Sequence, residues 1–80
     1  MEIYVRLYGA LRRYGPQENN PTGRITLKVS KGITVSAVAD QLGFPCSWDG
    51  FTVVNGKTVS KGEVLELGDQ VVFIPLISGG

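Results

Sequence analysis

Across this chain only one stretch spaces its apolar side chains for a helix. Val35, Val38, Ala39 and Leu42 fall at i, i+3, i+4 and i+7, Thr34 can cap the start, and Gly43 can end the helix before Pro45. Elsewhere the apolar residues alternate. Residues 2–8 put Ile3, Val5 and Leu7 on one side and Glu2, Tyr4, Arg6 and Tyr8 on the other; residues 24–30 do the same with Ile25, Leu27 and Val29 against Arg24, Thr26, Lys28 and Ser30. That is the period of a half-buried strand. Phe51 to Val54 and Lys57 to Val59 flank Asn55-Gly56, the pair best suited to a two-residue hairpin turn because both positions accept positive φ. Leu65, Glu66 and Leu67 suggest a further short extended piece before a turn at Gly68-Asp69, and residues 70–76 carry V-V-F-I-P-L, apolar enough for a central strand buried on both faces in part. Residues 10–14 can form one helical turn, and 15–23, rich in turn formers, reads as an exposed connection.

The order is therefore strand, strand, helix, short strands, long apolar strand. One apolar sheet face needs a cover and one apolar helix stripe can provide it, which predicts an α+β fold: a mixed sheet of about four to five strands with the main helix packed on one face. At 80 residues a chain buries only about 60% of its unfolded surface, so a single domain over 1–80 with one modest core is the most to expect. No repeat or linker interrupts it.

Composition removes most chemistry. Eight basic against seven acidic residues leave a formal charge of +1 with no long run of either sign, so neither nucleic acid nor a membrane surface is an expected partner. The chain has no histidine, the commonest general base and metal ligand, and its one cysteine, Cys46, cannot form a Cys-only metal cage. In F-P-C-S-W it reads as a small, partly buried residue rather than a nucleophile. The carboxylates are scattered, without a pair whose spacing compels a shared site. Gly9, Gly15, Gly23, Gly62 and Gly68 lack the residues of a phosphate loop and read as turns. Trp48, near Phe44, Pro45 and Phe51, reads as packing at one end of the interior. With no signal-like or membrane-spanning run, a soluble cytoplasmic protein is expected.

What remains is the terminal P-L-I-S-G-G, with Ile77 and Ser78 alone separating the apolar strand from Gly79 and Gly80. A frayed end is the plain reading. Yet a Gly-Gly end has a use other residues serve badly: without Cβ atoms it threads a narrow channel, and its freedom lets the α-carboxylate reach a partner's active site while the folded body docks outside. On that reading residues 77–80 form a flexible tail, and the reactive group is the terminus.

These residues resemble a known family. V-R-L-Y-G-A-L-R at 5–12, G-I-T-V at 32–35, V-V-N-G-K-T-V at 53–59 and L-G-D-Q-V-V-F-I-P-L-I-S-G-G at 67–80 are similar to the MoaD/ThiS group of ubiquitin-like sulfur carriers, most of all to the small subunit of molybdopterin synthase. The resemblance implies a β-grasp fold and no catalytic apparatus or permanently bound cofactor. It also implies that a ubiquitin-activating-type (MoeB/ThiF-like) enzyme uses ATP to adenylate the Gly80 carboxylate, that sulfur from a persulfide donor protein displaces AMP to leave a thiocarboxylate, and that a large synthase subunit (MoaE-like) receives the tail. Gly79 then matches the family's penultimate glycine, and Phe73, Ile74, Pro75 and Leu76, with Ile77 and Ser78, match its apolar, partner-binding approach. Strand alternation does not decide which of Phe73 and Ile74 faces out. A carrier for thiamin thiazole or another sulfur pathway, a modifier joined to target lysines, and an unreactive interaction module remain as alternatives.

Overall fold

The computed structural model describes residues 1–14, 24–45 and 48–76. The expectations for the connection 15–23, for Cys46 and for the tail 77–80 lie outside them. The elements run β1 (Glu2–Leu7), a 3₁₀ turn (Gly9–Tyr14), β2 (Arg24–Lys28), α1 (Val35–Leu42), β3 (Gly50–Val54), β4 (Lys57–Val59) and β5 (Gln70–Pro75). The strands form one sheet in the order β2-β1-β5-β3-β4. β1 and β5 are parallel and the other neighbours antiparallel. A mixed five-stranded sheet carrying one helix on one face is the β-grasp arrangement, and the most apolar strand is its centre.

Local chemistry sets the helix ends. Thr34 Oγ1 accepts from Ala37 N at 3.2 Å, satisfying one of the amides that an α-helix leaves without an internal partner. At the other end Gly43 N donates to Asp40 O and Phe44 N to Ala39 O, both at 3.0 Å. That pair of bonds, around a left-handed residue at φ 90°, is a Schellman cap. In the β3–β4 hairpin, Asn55 at φ 51° and Gly56 at φ 86° supply the two positive φ values that the turn requires. Asn55 is further held by its side chain: Nδ2 donates to Asp69 Oδ1 at 2.9 Å and Oδ1 accepts from Gln70 N at 3.0 Å.

The core lies between the helix and one sheet face. Ile3, Val5 and Leu7 of β1 and Val71 and Phe73 of β5 meet Val35, Val38 and Ala39 of α1, with Leu11, Val29, Leu65, Phe44 and Trp48 closing its ends. β1 and β5 alternate as their sequences require, so Tyr4, Arg6, Val72 and Ile74 fall on the helix-free face.

The extended piece expected at 65–67 is not a strand. Leu65 is buried, and its N–H donates to Ile33 O at 2.8 Å, but pairing is confined to a single bridge between Thr34 and Val64. The partner segment turns into α1 at Val35, so the ladder has nowhere to propagate. β2 also stops earlier than its alternation suggests, at Lys28, although Val29 and Met1 still exchange backbone hydrogen bonds.

Candidate functional site

The candidate site is the place where the chain leaves the central strand. Because β5 runs parallel to β1, its C-terminal end lies beside the end of β1, and Tyr8 N donates to Phe73 O at 3.1 Å. On the other side Pro75 pairs with Gly50 and Ile74 with Phe51, and Leu76 N donates to Asp49 O at 3.2 Å. The approach to the tail is thus held by β1 as far as Phe73 and by the β3 side up to Leu76.

Two glycines make this clamp possible, and neither stands out in the sequence. A Cβ on Gly50 would collide with the Ile74 carbonyl oxygen and lie 2.9 Å from Trp48 Cζ3. A Cβ on Gly9, itself at φ 55°, would lie 2.9 Å from Pro75 Cγ. Read along the chain, Gly9 is only a turn residue; its contact with Pro75 depends on strand register, which no local signal reveals. Gly50→Ala is expected to lower stability by about 1–3 kcal/mol as β3 and β5 are forced apart. Urea unfolding checks the loss, and amide exchange should show it concentrated at the β3–β5 ladder.

The six apolar and small residues expected to bind a partner separate into three groups. Phe73 is fully buried, with its ring edge-to-face against Phe44 at 5.2 Å and Trp48 at 5.7 Å. It belongs to the core and is removed from the docking surface, because inward alternation on β5 puts it under α1. Ile74 and Pro75 are half-buried and Leu76 is 54% exposed. Ile77 and Ser78, like Gly79 and Gly80, lie outside the described residues. Sequence reasoning missed two contributors: Phe51, 52% exposed and opposite Ile74, and Tyr8, 39% exposed at the end of β1. In the sequence Phe51 reads as the start of a strand and as packing near Trp48, and nothing local marks its side chain as exposed. Trp48 is itself buried against Phe44 and Phe73, as its packing role requires. Exposed apolar side chains gathered at one end of a sheet mark a surface suited to a protein partner.

The cations near this end lean on aromatic rings. Arg6 sits over Tyr8, with its guanidinium carbon 4.9 Å from the ring centroid, and Lys61 Nζ lies 4.8 Å from the Trp48 centroid while donating to Trp48 O at 3.2 Å. Asp69 serves structure at the far end of β5, where it accepts from Asn55 Nδ2 and Glu66 N. Among the described residues no group of three or more His, Cys, Asp or Glu could hold a metal ion, and no helix is long and apolar enough to cross a membrane. What the arrangement provides is a hydrogen-bonded exit flanked by exposed apolar side chains.

Solved structures share this architecture. SAMP1 of Haloferax volcanii, a small archaeal modifier protein, superposes with a TM-score of 0.72 at 20% identity, covering 100% of both chains. A candidate molybdopterin converting factor subunit 1 from Pyrococcus furiosus superposes with a TM-score of 0.70 at 19% identity, over 96% of this chain and 99% of that one. A ubiquitin-like protein of Caldiarchaeum subterraneum gives 0.54 at 18% identity, over 99% and 100%. These likenesses concern the fold. No curated protein matches significantly by sequence. The ThiS family model, however, matches residues 5–80, nearly the whole chain through its last glycine, and the protein therefore belongs to the ThiS family.

Proposed function

We propose that this protein is a sulfur carrier whose reactive group is the Gly80 carboxylate, and that it supplies sulfur for molybdopterin assembly in the cytoplasm. The observation that carries the reading is the family match running through Gly79 and Gly80, downstream of a central strand clamped up to Leu76.

The chemistry follows from the poor electrophilicity of a carboxylate. A ubiquitin-activating-type partner transfers AMP from ATP to the Gly80 carboxylate, releasing pyrophosphate and making an acyl-phosphate anhydride. A persulfide sulfur of a donor protein attacks the acyl carbon and expels AMP; a thiol then cleaves the acyl disulfide, leaving the thiocarboxylate. The carrier contributes no acid, base or metal. Its part is to dock through Phe51, Ile74, Pro75 and Leu76 while Gly79 and Gly80 enter the partner's active site. A large synthase subunit that binds a cyclic pterin precursor then receives the sulfur. Support for this branch is the shared fold with the candidate molybdopterin converting factor subunit.

A second reading is a modifier joined to lysines of other proteins, favoured by full-length superposition on SAMP1. Both use the same activated glycine, and the attacking nucleophile separates them. With adenylating enzyme, ATP and a persulfide donor, the intact mass of a carrier rises by about 16 Da as one terminal oxygen is replaced by sulfur. No gain with cognate enzymes overturns the carrier reading, and Gly80 remnants on target lysines establish the modifier.

A further inference from the structure

The β3–β4 turn carries a reactive pair. Of the chain's three asparagines only Asn55 is followed by glycine, and the backbone nitrogen of a glycine, with no Cβ beside it, is the one best able to close on the side-chain amide of the residue before it. Both residues are exposed. Around Gly56 no described atom beyond its chain neighbours lies within 4 Å of where a Cβ would stand, so the turn is open on that side.

The Asn55 amide itself is held at both ends. Nδ2 donates to Asp69 Oδ1 at 2.9 Å, Oδ1 accepts from Gln70 N at 3.0 Å, and Asn55 N donates to Gln70 O at 2.9 Å. A carboxylate only accepts and an N–H only donates, so these two partners fix which way the amide points. They also extend the β3–β5 ladder past its last pair, Val54 with Val71. A carboxylate in place of the amide keeps the bond to Gln70 but turns an acceptor toward Asp69 where a donor stood. Two like charges then meet at hydrogen-bond distance.

We propose that Asn55 is a latent modification site: Asp69 and Gln70 hold its amide back from Gly56 N, and loss of that hold lets it convert, with water as the only co-reactant, to aspartate or isoaspartate, which unfastens the β3–β4 hairpin from the start of β5. Gly56 N bonds to Asn55 Cγ and gives up its proton, while Nδ2 takes up a proton and leaves as ammonia, closing a five-membered succinimide. Water then adds at one ring carbonyl and breaks that carbon's bond to nitrogen. At Cγ this restores the backbone with an aspartate side chain; at the main-chain carbonyl it leaves the backbone running through Cγ. One water is consumed, one ammonia is released, and nothing is oxidised or reduced. The pair lies beside Gln70, at the opposite end of β5 from Pro75, so the site does not depend on sulfur transfer.

The test is incubation of the full chain in mildly alkaline buffer, folded and in urea, with peptide mass mapping of residue 55. Conversion adds about 1 Da, and isoaspartate separates from aspartate by its retention. Wild type in urea should convert about tenfold or more faster than folded wild type, the measure of what the native turn restrains. Folded Asp69→Ala should convert at least about fivefold faster than folded wild type, the factor for one hydrogen bond. Asp69→Asn, whose amide oxygen still accepts, should stay near wild type. Asn55→Asp, which carries the charge of the product, should lower the unfolding midpoint by about 4–8 °C and speed amide exchange at residues 55 and 70. If Asp69→Ala does not fold, the wild-type comparison with urea and Asn55→Asp decide. No added mass at residue 55 in urea, conversion as fast in folded wild type as in urea, an Asp69→Ala rate matching wild type or Asp69→Asn, or an Asn55→Asp chain as stable as wild type overturns the proposal.

Discussion

Deletion of Gly80 is expected to reduce thiocarboxylate formation by at least about a hundredfold while leaving the unfolding midpoint unchanged. Removing one residue shortens the greatest reach of any chain segment by about 3.5 Å, and a misplacement of only about 1 Å at a reacting centre can cost about 100-fold. Gly79 cannot compensate by sliding forward, because the chain behind it is pinned: Leu76 N is bonded to Asp49 O, and Ile74 and Pro75 are paired to β3. The same pinning explains the unchanged stability, since the described core and its ladders are complete by Leu76. The measurements are intact mass after incubation with adenylating enzyme, ATP and persulfide donor, alongside a thermal melt. Undiminished sulfur gain would place the reactive group elsewhere, and a large drop in the melting temperature would make the terminus a structural element.

How much of this was legible depended on the range of each cause. Helix α1 matches its spacing and its caps because Thr34 and Gly43 act within a few residues of themselves. Asn55-Gly56 marks the β3–β4 turn for the same reason. The apolar excess of residues 70–76 foretold a central strand, since only a strand flanked on both edges has use for it. Register is a different matter. That Arg6 faces Arg24, or that Gly50 lies against Ile74, follows from which strands pair and how far each is shifted, and neither fact leaves a trace within either strand alone. Leu65 and Leu67 suggest a short extended piece because they alternate, but only Leu65 is buried while Leu67 is 73% exposed, and pairing stops at the Thr34–Val64 bridge. At the site, Gly79 and Gly80 are conspicuous as residue types, whereas Phe51 and Tyr8 join the proposed docking surface only because β3 and β1 flank β5.

Phe73→Ala is expected to cost about 3–5 kcal/mol, a large share of the roughly 5–15 kcal/mol that holds a domain together. The ring is completely buried and lies edge-to-face against both Phe44 and Trp48, which also contact each other at 5.2 Å. Its strand cannot close over the space, because residue 73 is flanked by Leu7 on β1 and Thr52 on β3 in continuous ladders. The cavity therefore persists, and its cost adds to the lost burial. Ile74→Asp is the informative contrast. One residue on, that side chain is half-buried on the opposite face beside exposed Phe51, so the change should spare most of the stability and strike the interaction with the adenylating partner. Urea unfolding and partner affinity, measured on both variants, should move in opposite proportion. A Phe73→Ala loss under about 1 kcal/mol would mean that the aromatic cluster collapses around the gap, and an Ile74→Asp variant that binds its partner normally would move docking off this end of the sheet.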